Sequence, residues 1–178
     1  MLRRPTLGDA EAIFARYSSD TEVTRYLGWP RHRSIEQTKG FLTFSEAEWD
    51  RWPAGPYLIE SRDKEKLLGS TGLAFETPTV AATGYVLARD AWGHGYATEA
   101  LAAIVVIARD LGVLRLCALC HPDHPASIRV LEKCGFVLED RLPGFAEFLG
   151  TVRTAYAMPT FPLVERPRDP TSLPPHQC

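Results

Sequence analysis

The stretch AWGHGYATEA, residues 91 to 100, sets two glycines around one histidine and runs straight into an alanine-rich apolar segment. From Ala97 to Leu111 apolar side chains recur at Leu101, Ile104, Val105, Ala108 and Leu111, the spacing of one helix face, and Gly112 stops the pattern. A helix entered through Gly93, His94 and Gly95 leaves its first backbone N–H groups without intrahelical acceptors, at the positive end of its dipole. Glycine admits positive φ and lets an anion reach the main chain without meeting a Cβ atom, so the loop suits an anion. A plain corner would use the same glycines, and that alternative stays open at this level. Two nucleotide loops do not fit. A dinucleotide fingerprint needs Gly or Ala where Thr98 stands and an acid closing the next strand, where Cys120 stands; a hydrolase phosphate loop needs a Lys-Ser or Lys-Thr pair.

Upstream, PYLIESRD (56–63), KLLGSTGLAF (66–75) and VAATGYVLA (80–88) have the length and β-branched or aromatic content of antiparallel strands. Downstream, LRLCALC (114–120) resumes a strand, so residues 80–120 predict a strand, helix, strand unit with a right-handed crossover. The pattern then repeats. Pro125 can open a helix whose face is Ile128, Val130, Leu131 and Cys134; Gly135 ends it, and FVLEDRL and TVRTAYAM follow as strands. At the N-terminus LRRPT predicts a short strand and LGDAEAIFARYSSD (7–20) one helix, with Ala10, Ile13, Phe14 and Tyr17 inside. Ser34 and Gln37 have capping-box spacing and introduce a second helix through Phe41, Phe44 and Trp49. Residues 159–178 are Pro-rich and aperiodic, which predicts an extended or disordered tail after one domain over 1–158.

Composition limits the partners. A formal charge of -2 over 178 residues argues against broad attraction to nucleic acid or anionic membranes. The longest apolar run, ALAAIVVIA, is about half of the roughly 20 residues that span a bilayer, and the basic N-terminus is followed by no signal-peptide core. A soluble cytoplasmic protein is the expectation. Cys117 and Cys120 spell CALC, but on a strand they fall on opposite faces, so no shared metal is expected there.

GYVLARDAWGHGYATEALAAIVVIARDLGVLRL followed by HPDHPASIRVLEKCGFVLEDR resembles the core of the GNAT superfamily of N-acetyltransferases, particularly the branch that includes ribosomal-protein N-terminal acetyltransferases. The resemblance covers about residues 83–141 and extends, through LRRPTLGDA and the meander, over 2–158. It implies an α/β (α+β) fold: a mixed, mostly antiparallel twisted sheet of about 6–7 strands flanked by about four helices. It also implies acetyl transfer from acetyl-CoA to a primary amine, a protein N-terminus among the acceptors, by direct attack on the thioester. By position, the cofactor segment is Trp92, Gly93, His94, Gly95, Tyr96, Ala97 and Thr98, joined by Leu87, His124 and Ser127. Trp92 stands where the family usually has Gln or Arg, and His124 where it has Asn.

The chemistry needs a base, an oxyanion donor and an acid for the leaving thiolate. The resemblance places the oxyanion donor on the main chain between Tyr85 and Leu87, with Leu87 preferred. Some relatives carry an acid just before Gly84, but Ala82 and Thr83 occupy those places, which leaves Glu76 as a base acting through water or as a turn residue. Relatives often supply the acid from a Tyr after the second-motif helix; Phe136 is there instead, so Ser127 is the substitute, or else an ordinary first-turn residue. Tyr85 and Tyr156 read as packing residues. Trp29, Trp49, Trp52 and Tyr57, with Phe145, Glu147 and Phe148, read as walls of an acceptor site for an organic cation or as core. A small-molecule acceptor (polyamine, amino acid or antibiotic) and a non-catalytic CoA sensor remain as alternatives, and either a monomer or a homodimer is compatible.

Overall fold

The computed structural model describes residues 1–63, 66–142 and 153–158, with the side chains of 140–142 and 153–156 set aside. Phe145, Glu147, Phe148 and the tail 159–178 lie outside the described residues, as does the side chain of Tyr156. One sheet organises the chain. Its strands are β1 (Leu2–Arg3), β2 (Pro56–Glu60), β3 (Leu67–Thr77), β4 (Val80–Leu87), β5 (Arg115–Cys120), β6 (Val137–Leu142) and β7 (Arg153–Ala157), in the order β1-β2-β3-β4-β5-β7-β6. Every neighbouring pair is antiparallel except β4 and β5, the parallel pair. The helices are α1 (Ala10–Ile13), α2 (Thr21–Thr24), α3 (Ile35–Arg51), α4 (Tyr96–Asp110) and α5 (Pro125–Lys133). This is the mixed, mostly antiparallel α/β architecture expected of the family.

Two larger cores flank the sheet, and a smaller buried cluster of Ile59, Leu68, Leu87, Ala91 and Ala100 adjoins the start of α4. Leu101, Ile104 and Ala108 of α4 are fully buried and pack with Leu73, Phe75, Ala81, Leu116, Ala118, Leu131 and Phe136. These are the positions that the 3.6-residue period assigned to the inner face. Ala10, Ile13, Tyr17, Leu42, Leu58 and Val86 form the second core, with α3. On β5, Leu116, Ala118 and Cys120 point inward while Cys117 falls on the alternate, less buried face.

The N-terminal helix is continuous but changes its winding. Residues expected in one helix form a 3-10 turn (Leu7–Asp9), the single turn α1 and a π-helical turn (Phe14–Ser18). The carboxylate of Asp9 draws in the first turn by accepting the backbone N–H of Thr6 at 2.7 Å and two Arg3 N–H groups at 2.6 and 2.9 Å. The wider π turn accompanies the burial of two consecutive residues, Tyr17 and Ser18, which a regular helical turn spreads apart. The capping box at α3 also differs: Ser34 is the N-cap, but Gln37 Oε1 accepts from the backbone N–H of Arg33 at 2.6 Å.

The ladder between β4 and β5 is short. It pairs Val80–Thr83 with Arg115–Ala118 and ends there, while β4 continues along β3 to Leu87 and β5 continues along β7 to Cys120. The two strands therefore part at Thr83, and the carboxyl ends of both flank a gap. Gly69 keeps β3 flush against this half of β4, because a Cβ there would stand 2.0 Å from the carbonyl oxygen of Val86. Among the described residues no helix is long and apolar enough to cross a membrane. Leu101→Ala is expected to destabilise the fold by about 2–5 kcal/mol, the range for a fully buried leucine, as read by urea unfolding.

Candidate active site

Between β4 and α4 the chain makes a 3-10 turn (Arg89–Ala91) and then the glycine loop. Gly93 and Gly95 take φ of 77° and 83°, the left-handed region that disfavours every residue with a Cβ. A Cβ at either position would have nothing within 4 Å, so backbone conformation, not crowding, demands glycine, and the space beside the loop is open. Gly95 is the N-cap of α4 and supplies no side chain to cap it. The first intrahelical bond runs from the Glu99 N–H to the Gly95 carbonyl at 3.0 Å, which leaves the N–H groups of Tyr96, Ala97 and Thr98 without helical acceptors. Ion pairs pin the turn that precedes them. Asp90 accepts from Arg16 at 2.7 Å and pairs with Lys66 at 2.7 Å, and Arg89 pairs with Asp20 at 2.7 Å. Arg16 first, then Lys66, hold the Asp90 carboxyl well below the usual carboxylate range.

The gap between β4 and β5 opens beside this loop. The Ala88 N–H donates to the Leu68 carbonyl at 2.8 Å. Antiparallel ladders alternate, so Val86 and Gly84 also turn their main-chain groups to β3, whereas Tyr85 and Leu87 turn theirs to the gap. Trp92 Nε1 donates to the Leu87 carbonyl at 2.9 Å, so the indole closes off the acceptor while the Leu87 N–H still faces the gap. The Tyr85 hydroxyl lies 2.8 Å from Ser127 Oγ and donates to the Ser127 carbonyl at 3.0 Å. Burial pushes the Tyr85 phenol well up, so it keeps its proton at neutral pH. Cys134 Sγ donates to the Thr98 carbonyl at 3.5 Å and ties α5 to the first turn of α4; burial raises this thiol too.

Across the gap, His124 is the N-cap residue of α5 but its side chain makes no capping bond. The ring stacks on Tyr26, from the segment between α2 and α3, with centroids 4.7 Å apart and planes 28° apart. His121 tilts against the same ring at 4.9 Å, and the Arg25 guanidinium lies 5.2 Å from it. Burial lowers the proton affinity of His124, and His121 lowers it further.

The structure thus ties Ser127 to Tyr85 on β4 and Cys134 of α5 to Thr98 at the start of α4, while Leu87 leads into the glycine loop and His124 heads the helix that carries Ser127. Glu76 stands elsewhere. Its neighbour Phe75 pairs with Ala81, four residues before Tyr85, which is about 13 Å along the strand at roughly 3.3 Å per residue. Trp49 donates to the Pro56 carbonyl at 2.8 Å and meets Tyr57 edge-on, and Trp52 stacks on Phe75; all three pack against the main core. Trp29 packs on the second core beside His32. Tyr85 was expected only to pack, but its hydroxyl engages Ser127. Its strand parity, shared with Thr83 and Leu87, was the one available signal. Tyr26 gave none, because its role depends on a contact nearly a hundred residues away in sequence.

Residues 1–137 match the family model of the acetyltransferase (GNAT) domain, and the chain belongs to this family of acetyl-CoA-dependent acyltransferases. It is 35% identical over 154 residues to YoaA of Bacillus subtilis strain 168, an uncharacterized N-acetyltransferase, covering 85% of this chain and 86% of that one. RimL, a ribosomal L7/L12 α-N-protein acetyltransferase solved with coenzyme A, has the same fold at a TM-score of 0.77, with 24% identity over 88% of this chain and 91% of that one. A spermidine N-acetyltransferase from Vibrio cholerae, solved with CoA and spermine, superposes at a TM-score of 0.73 with 18% identity over 88% and 92% of the two chains.

Gly95→Ala is expected to cost about 1–2 kcal/mol of stability, the left-handed penalty, and to weaken acetyl-CoA binding in calorimetry. Gly84→Ala, whose Cβ would also meet nothing within 4 Å but whose φ is ordinary, serves as the control and should unfold like the parent.

Proposed function

We propose that the chain transfers the acetyl group of acetyl-CoA to a primary amine, an α-amine at a protein N-terminus being the acceptor it suits best. The observation that carries this reading is the pairing of two donor sets around one opening: the free first turn of α4 and the strand edge where β4 leaves β5. Acetyl-CoA brings an activated thioester and a diphosphate. The N–H groups of Tyr96, Ala97 and Thr98, with the loop Trp92 to Gly95, would hold the diphosphate at the positive end of the helix. The Leu87 N–H faces the gap and would take the charge that develops on the carbonyl oxygen during attack, where fixed donors matter most. Ser127 would then give its hydroxyl proton to the leaving thiolate and regain one that the acylated nitrogen sheds, with the Tyr85 hydroxyl, which burial keeps protonated, 2.8 Å from its Oγ to orient it.

The acceptor follows from proton bookkeeping. An α-amine of pKa about 7.7–8.0 is already about a tenth neutral near pH 7, whereas a lysine-type amine at about 10.4 is neutral roughly one time in a thousand. An α-amine therefore makes the smaller demand on whatever base serves. The Arg25 guanidinium over Tyr26 also disfavours a polycation.

Ser127→Ala is expected to lower kcat about 100-fold while the acetyl-CoA dissociation constant stays within about threefold, and Tyr85→Phe should show a smaller loss of the same kind. Thiol release with an α-amine peptide measures the first and calorimetry the second. Unchanged turnover in both variants would remove the pair from the reaction.

A further inference from the structure

We infer that His124 is the general base of the transfer, its imidazole taking the proton of the acceptor ammonium. The inference rests on the acetyltransferase reading above and supplies the role that reading leaves open. Place comes first. His124 caps α5, three residues before Ser127 on the same first turn, at the point where β5 has just ended beside the gap. The group that would accept the proton and the group that would return one to sulfur thus stand at the start of one helix.

The ring is held but not consumed. The stack on Tyr26 at 4.7 Å fixes its plane, yet no described residue hydrogen-bonds either ring nitrogen. His121 differs: its Nδ1 accepts the backbone N–H of Asp123 at 3.1 Å. A half-buried imidazole with both nitrogens unengaged is oriented for a partner that arrives with the substrate.

The alternatives at the gap are unsuited. Tyr85 and Cys134 are pushed upward by burial and keep their protons at neutral pH, so neither is a base there. Glu76 is at the other end of the β3–β4 hairpin. The charged and titratable groups around the Tyr26–His124 stack are Arg25, His121 and the exposed Asp123, and none forms an ion pair with His124. Burial keeps the ring neutral through the physiological range, ready to accept. The balance closes. The ammonium proton passes to the imidazole, the amine lone pair forms the C–N bond, the C–S bond breaks, the thiolate takes a proton from Ser127, and the second proton shed by the acylated nitrogen restores the Ser127 hydroxyl. The imidazolium then returns its proton to water.

His124→Asn installs the side chain that the family resemblance leads one to expect. The test measures kcat for an α-amine peptide from pH 5.5 to 9, with acetyl-CoA binding followed by calorimetry on both proteins. A base whose pKa lies below the ordinary value of about 6.5 is unprotonated above it, so wild-type kcat should be flat above that pH and fall on acidification. The variant should lose ten- to a hundredfold in kcat at pH 7 while its acetyl-CoA affinity changes far less. Its deficit should shrink toward pH 9, as the α-amine sheds its own proton near pH 8. Tyr26→Leu, which keeps the imidazole but removes the stack, should shift the acid limb upward and guards against misfolding of the first variant. Full kcat at pH 7, or an equal loss at pH 7 and pH 9, overturns the role of His124 while leaving the acetyltransferase reading intact. Absence of acetyl-CoA binding by the wild type overturns both.

Discussion

Among the described residues the main chain of β4 beyond Thr83 has a strand partner on one side only, and the site is built around that interruption. A buried backbone N–H or carbonyl left without a partner costs about 1–3 kcal/mol, so a sheet does not part without something to take up the exposed groups. One carbonyl is satisfied within the chain, by the indole of Trp92 on Leu87. The donors that remain lie along a strand edge and, a short turn later, along the first turn of α4. A ligand that satisfies both must be extended, with an anionic portion at one end and a carbonyl at the other.

Rigidity around the opening comes from both sides of the sheet. Leu101, Ile104 and Ala108 seat α4 in the main core, which fixes where its N-terminus points. The 3-10 turn before it is tied to the N-terminal helices by Arg16 and Asp20 and to the β2–β3 turn by Lys66. These pairs are exposed, and individually such contacts contribute little to stability. Their effect here is positional: they bring residues from three parts of the chain to the edge of the same loop. The Cys134 contact to Thr98 does the same from α5. Tyr26 closes the opposite rim, joining the N-terminal segment to the α5 start through His124.

Much of this was legible in the sequence, and the reasons are local. Positive φ at Gly93 and Gly95 is a conformation that almost only glycine adopts, so residue type and geometry coincide. The face of α4 followed from its period, and the meander from strand length and turns. What could not be read depended on where distant elements meet. Glu76 sits at a strand end, but only the β4–β5 register shows that it is the end away from the gap. Tyr85 carried strand parity and nothing that named Ser127 as its partner. The π turn at Phe14–Ser18 widens a helix that the apolar spacing alone would keep regular, and it accompanies the burial of both Tyr17 and Ser18. His124 was visible as a departure from the family pattern, but its stack on Tyr26 was not.

The central claim is that the free first turn of α4 and the parted edge of β4 hold the two ends of one acetyl-CoA molecule. A crystal structure of the chain with acetyl-CoA tests it most directly. The diphosphate oxygens are expected within about 3 Å of the N–H groups of Tyr96, Ala97 and Thr98, with the thioester carbonyl directed at the Leu87 N–H between β4 and β5. A cofactor bound elsewhere, or a diphosphate held by side chains while the α4 amides stay solvated, would contradict it.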